Sequence, residues 1–116
     1  MVVVMFEVEL NDGCKEEYYS LSKNLQSALS KQKGFLGGTT YICEGNPNRE
    51  MSINYWENEA SVVEWRNFMG HRICQKEGRD GLFKSYKITV SREIRTYTNK
   101  MRSKAPIDSN IFFSKE

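Results

Sequence analysis

The chain of 116 residues has few of the residues that usually announce chemistry. It contains one histidine, His71, and three cysteines, Cys14, Cys43 and Cys74. An odd number of distant cysteines, without Cys-x-x-Cys spacing or a histidine at metal-ligand distance, reads as three reduced, packed thiols and no metal site. A nucleophile beside its base, a phosphate-binding glycine loop and a dinucleotide fingerprint are all missing. Charge of one sign is lacking too. The formal net charge of +2 is too small to argue for nucleic acid, and the cluster Lys100, Arg102 and Lys104 has no aromatic platform interleaved with it. No apolar run reaches the roughly twenty residues of a membrane span. Met1 to Phe6 is apolar, but Glu7 and Glu9 follow at once without a basic leader. That pattern indicates a strand rather than a signal peptide, and hence a cytoplasmic protein.

What is present suits a single folded domain: 39% hydrophobic, 28% charged and 12% aromatic residues. Val2, Val4, Phe6, Val8 and Leu10 alternate with Val3, Met5, Glu7 and Glu9, so the first strand has one apolar and one mixed face. Asn11-Asp12-Gly13 breaks it. From Lys15 to Lys33, the residues Tyr18, Leu21, Leu25, Ala28 and Leu29 keep helical spacing, and Gly34 is placed to follow the helix in a left-handed conformation. Phe35 to Cys43 reads as a strand, with Gly37-Gly38 marking a bulge or a close approach by another backbone. Glu44 to Asn48 is turn chemistry, and Arg49 to Trp56 returns as the next strand of a hairpin.

A second helix follows, with Asn58 as its N-cap and Glu59 at the positive end of its dipole. Val62, Trp65, Met69 and Ile73 form its apolar stripe. Gly78-Arg79-Asp80-Gly81 makes a turn, and Phe83 to Tyr97 is the last strand, with Tyr86, Ile88, Val90 and Ile94 on one face. Both tryptophans and the single histidine fall between Trp56 and His71, so any chemistry lies in or beside that stretch. The order is strand, helix, strand, strand, helix, strand. It predicts an α+β, ferredoxin-like βαββαβ fold with helices on one face of a four-stranded antiparallel sheet. The opposite face carries Val3, Met5, Met51, Ile53 and Tyr55. It is too apolar to leave wet, and burying it against a second copy predicts a symmetric homodimer. Residues 98–116 form a C-terminal tail that either contacts the partner or is disordered.

The sequence resembles the antibiotic biosynthesis monooxygenase family. The match lies in Gly34-Phe35-Leu36-Gly37, Tyr55-Trp56-Glu57-Asn58-Glu59-Ala60, Trp65-Arg66, His71-Arg72, Gln75, Gly78-Arg79 and Tyr86, and covers about residues 1–97. The resemblance implies a dimeric α+β barrel and an enzyme that oxidises a small aromatic phenol or quinol with oxygen and no cofactor. A deprotonated phenol can itself reduce oxygen, so the protein has to stack the ring, take a proton and stabilise an oxyanion. His71, Asn54 and Arg72 are then the catalytic candidates. Trp56, Trp65, Tyr55 and Gln75 are the substrate-binding ones. A haem-degrading branch of the family is an alternative. It carries an asparagine on the first strand and an iron-ligating histidine about ten residues past the helical tryptophan; here Phe6, Glu7 and Gln75 stand at those places.

The remaining alternative is a dimeric module that binds a small ligand without turnover. Structural readings stand beside the functional ones. Trp65 is equally a core residue whose indole N–H finds a carbonyl, His71 a cap on free carbonyls, and Tyr41 and Tyr86 core residues.

Overall fold

The central strand, β1 (Val2–Leu10), is buried at every even position and half-buried at every odd one, as the alternation in its sequence requires. A computed structural model describes residues 1–114; the side chains of 71, 73–80, 113 and 114 lie outside the described residues. In chain order β1 is followed by α1 (Lys15–Leu29), β2 (Phe35–Ile42), β3 (Arg49–Trp56), α2 (Glu59–Asp80), β4 (Phe83–Arg92) and α3 (Ile107–Ser114). The four strands form one antiparallel sheet in the order β2-β3-β1-β4, so the expected ferredoxin-like α+β fold is present.

Cross-strand register sorts the side chains. Val2 pairs with Trp56, Val4 with Asn54 and Phe6 with Ser52, which puts Trp56, Asn54 and Ser52 on the face that carries the core. Val3 with Tyr55, Met5 with Ile53 and Glu7 with Met51 share the opposite face. The core joins the even residues of β1 to Tyr18, Leu21 and Leu29 of α1, Val62, Trp65 and Met69 of α2, and Leu82 and Phe83. At about 25 cal/mol per Å² of apolar surface removed from water, this two-layer contact dominates the stability of the domain.

Local chemistry explains where the elements end. Asn58 caps α2 as expected, its Oδ1 accepting from the Ser61 amide at 2.9 Å. The first helix stops at Leu29, short of the expected Lys33. There the amides of Lys31 and Gln32 turn to the carbonyls three residues back, Ala28 and Leu29, and Ser30 Oγ donates to Ser27 O at 2.9 Å. Gly34 does adopt positive φ, at +87°, but in the loop beyond this tightened turn. A Cβ on it would lie 2.5 Å from that of Ser61, so the loop packs against the start of α2 only because residue 34 is glycine.

The helix α2 runs through Gly70 and Gly78 to Asp80, and the reversal falls on Gly81 at φ +57°. Each interior glycine costs about 1 kcal/mol, which a helix anchored by a buried stripe can absorb. The last strand ends at Arg92 rather than Tyr97. Arg92 pairs with Val2 at the start of β1, and Glu93 N donates to Met1 O just past that pair.

The tail carries the short helix α3. Arg102 lies over the Tyr97 ring and donates to Asn110 Oδ1 and Ser109 Oγ, while Asn110 Nδ2 returns a bond to Arg102 O. Its apolar residues Met101 and Ile107 remain 74% and 78% exposed. Tyr86 and Tyr41, open to a core reading from sequence, are 47% and 56% exposed, because both sit on the two edge strands of the sheet.

Candidate functional site

Between the sheet and both helices lies a cavity of about 480 Å³. Its walls are apolar and aromatic: Phe6 of β1, Leu25 and Leu29 of α1, Phe35 of β2, and Trp65 and Met69 of α2. Its floor is polar, because β2 and β3 bring Thr40, Ser52 and Asn54 to the same face. Thr40 and Ser52 are directly paired across the strands, with their hydroxyls 3.0 Å apart. Tyr18, Ser22 and Gln26 complete the polar part from α1. Among the described residues, the lining includes no charged side chain, histidine or cysteine. Such a space takes a small, largely apolar molecule and orients it by a few polar contacts.

Of the residues singled out from the sequence, Asn54 and Trp65 line this cavity. Trp56 does not. It is completely buried beneath it, edge-on to Phe35 at 5.4 Å and 6.5 Å from Trp65. Tyr55 follows Asn54 in a strand and therefore points to the other face of the sheet. Arg72 is exposed on α2, with its guanidinium 5.3 Å from the Phe68 ring, itself 5.8 Å from Trp65. It does not line the cavity. The side chains of His71 and Gln75 lie outside the described residues. Sequence reasoning centred the chemistry on the stretch from Trp56 to His71, but α1 contributes Tyr18, Ser22, Leu25, Gln26 and Leu29 to the lining. It also missed Thr40, Ser52 and Tyr18. The paired glycines were the one available signal, since Gly37 and Gly38 both border the cavity.

Neither indole nitrogen has a partner among the described residues, although both are buried. The carbonyl expected for Trp65 is not supplied, and an unmade bond of this kind costs about 1–3 kcal/mol. Burial pushes the Tyr18 hydroxyl well above its ordinary value, and the Glu50 charge adds to the effect. Glu50 stands two residues before Ser52 on the same face of β3, and its own carboxyl is raised by burial, with Lys15 opposing. On the far face of the sheet, the Lys87 ammonium, 2.8 Å from Glu7, holds that carboxyl below its ordinary range. Cys14 and Cys43 are free thiols, and among the described residues no three His, Cys, Asp or Glu side chains could gather a metal ion. No described helix is long and apolar enough to cross a membrane.

Comparison with known proteins agrees with this architecture. The family model for antibiotic biosynthesis monooxygenase matches residues 1–77. A jasmonate monooxygenase of Pyricularia oryzae is 30% identical over 90 residues, which is 78% of this chain and 42% of that protein. The chain therefore spans less than half the length of this relative. Among solved structures, SnoaB of Streptomyces nogalater, a cofactor-independent oxygenase, superposes with a TM-score of 0.67 over 82% of this chain and 94% of its own, at 15% identity. A Deinococcus radiodurans protein assigned to the same family reaches 0.73 over 84% and 97%, at 13% identity. At such identities the superpositions establish the fold, whereas the family match is carried by the sequence over two thirds of the chain. This chain is a member of the antibiotic biosynthesis monooxygenase family.

Proposed function

We propose that the protein is a cofactor-independent monooxygenase that oxidises a small aromatic phenol or quinol with molecular oxygen, as a cytoplasmic homodimer. The observation that carries this reading is the cavity with aromatic walls and a polar floor centred on Asn54. A phenolic ring packs against Trp65, Phe6 and Phe35, and its oxygen faces the Asn54 carboxamide and the Ser52 and Thr40 hydroxyls. Loss of the phenolic proton yields an electron-rich anion. Oxygen adds at a ring carbon as a hydroperoxide, which loses water to give the quinone, so that a phenol and O2 become a quinone and H2O. Both electron pairs come from the substrate. Asn54 stabilises the oxyanion by donating Nδ2–H, an effect worth roughly 3 kcal/mol where such a donor acts in a dry site. His71 is the acid–base candidate, as the one imidazole in the chain. Arg72, over the Phe68 ring, is the candidate for adding positive potential, and Gln75 follows His71 by one turn of α2.

The kinship to a jasmonate monooxygenase suggests a second substrate class. That class is an organic anion such as jasmonate, whose buried carboxylate would need a cation beside it. The haem alternative needs an iron ligand, and Gln75 stands where that branch carries its histidine.

Oxygen uptake with 1,4-dihydroxynaphthalene and no added cofactor tests the reading. Uptake above autoxidation is expected, reduced roughly a hundredfold in Asn54→Ala and abolished in a folded His71→Ala. Saturable binding of the naphthohydroquinone without uptake would leave the non-catalytic binding module. A Soret shift on haem titration that vanishes in His71→Ala would instead favour the haem branch.

A further inference from the structure

Two cross-strand pairs lie next to each other on the cavity floor, and they are built differently. Thr40 opposite Ser52 has a side chain on each strand, and the two hydroxyls bond to each other. Gly38 opposite Asn54 has a side chain on one strand only. A Cβ added to Gly38 would fall on Asn54 Oδ1 and lie 2.7 Å from Ile53 O. The Asn54 carboxamide therefore lies across β2 in the space that residue 38 leaves empty. The backbone at Gly38 does not require glycine, because its φ is not among the positive ones, so the requirement is for room. Gly37 carries the unusual conformation instead, at φ +136°, where the register shifts between Phe35 and Gly37.

We infer that Gly38 is the positioning residue for Asn54: its missing side chain holds the carboxamide flat on the cavity floor with its N–H donors directed to the ligand oxygen. The inference rests on the reading of Asn54 as the oxyanion donor. Among the described residues the carboxamide makes no hydrogen bond to protein, whereas its neighbours Ser52 and Thr40 satisfy each other. A hydroxyl at position 38, repeating the Thr40–Ser52 pair, would take up the carboxamide. A methyl would displace it. Glycine alone leaves it both in place and available, so residue 38 acts on the ligand only through Asn54.

The test uses 1-naphthol under anaerobic conditions, where it ionises and, without oxygen, does not turn over. The naphtholate absorption is titrated with saturating protein, for the parent, Gly38→Ala, Asn54→Ala and the double variant. In the parent, half-ionisation of bound naphthol is expected about one pH unit below that of free naphthol. Both single variants lose that shift, and the double variant is no worse than Asn54→Ala alone. Retention of the shift in Gly38→Ala with loss in Asn54→Ala overturns the role of Gly38 and leaves that of Asn54 standing. Retention in Asn54→Ala itself removes the oxyanion role and the positioning role together.

Melting temperatures decide the case in which Gly38→Ala folds poorly. Truncating Asn54 in the Gly38→Ala background should restore part of the lost stability, because the crowded carboxamide is gone. An equal effect of Asn54→Ala in both backgrounds, or a double variant that folds no better than Gly38→Ala, shows that the Ile53 backbone alone demands the glycine and overturns the inference.

Discussion

The two faces of the sheet use the same strands to opposite ends. On the covered face, Val2, Val4, Phe6, Val8 and Leu10 are each at most 5% exposed beneath α1 and α2. One residue along, Val3 and Met5 are only half-buried, beside Ile53 and Tyr55. Nothing in the chain's local chemistry separates Val4 from Val3. The difference is that helices return over one face and not the other. The open face is apolar at one end and charged at the other, and its charges are already matched within the chain: Glu7 with Lys87 at 2.8 Å, and Glu9 with Lys84 at 3.4 Å and Arg49 at 3.7 Å. A surface that meets its own copy cannot rely on opposite net charge, so internal pairing suits the proposed two-fold interface.

The comparison is broken most severely by a charge placed on either side of it. Val4→Asp buries an unpaired carboxylate in the core and is expected to cost more than about 3 kcal/mol, enough to unfold a domain of this size. Met5→Asp, one residue away, should leave a folded chain and convert the proposed dimer to a monomer. Circular dichroism and sedimentation of the two variants side by side check both, and a folded dimer of Met5→Asp would remove the open face from the interface. A milder intervention loosens the cover itself. Asn58→Ala deletes the cap of α2 and should lower stability by about 1 kcal/mol, read by urea denaturation.

The smallest effect concerns Glu50, the carboxylate beside the cavity floor. Its folded value is raised above the ordinary 4.5 by burial, against the opposing Lys15 charge. The folded state therefore holds this proton more tightly than the unfolded one. Stability rises as pH falls through the raised folded value, and the gain is complete below about 4.5. Glu50→Gln should remove that component, leaving the variant slightly more stable than the parent at neutral pH and without the advantage in acid. Thermal melts from pH 4 to 8 would show it, and a variant with the parent's pH slope would assign the slope to another group.

Legibility followed the range of the interactions. The strand alternations, the α2 stripe and the Asn58 cap are set within a few residues, so each was readable in order. The ends of α1 and β4 were not. Leu29 is followed by a tightened turn that competes with further helix, and Arg92 pairs with Val2 at the start of β1. Within the candidate site, Asn54 and Trp65 were readable as polar and aromatic residues near the central stretch. The company they keep was not, because Gly38, Thr40 and Ser52 join them only through the register of β2 on β3. Tyr55 and Trp56 looked as well placed as Asn54, but strand alternation and depth of burial take them out of the cavity.

The sequence by itself determined the order of the six elements from β1 to β4, the apolar faces of β1, α1 and α2 and hence the ferredoxin-like fold, because hydrophobic periodicity and capping are local. The tertiary structure decided which side of the sheet was covered, where a cavity was left between the layers, and which side chains shared its floor. Those outcomes depend on pairings between residues far apart in the chain, where a shift of one position in register would send Asn54 to the opposite face.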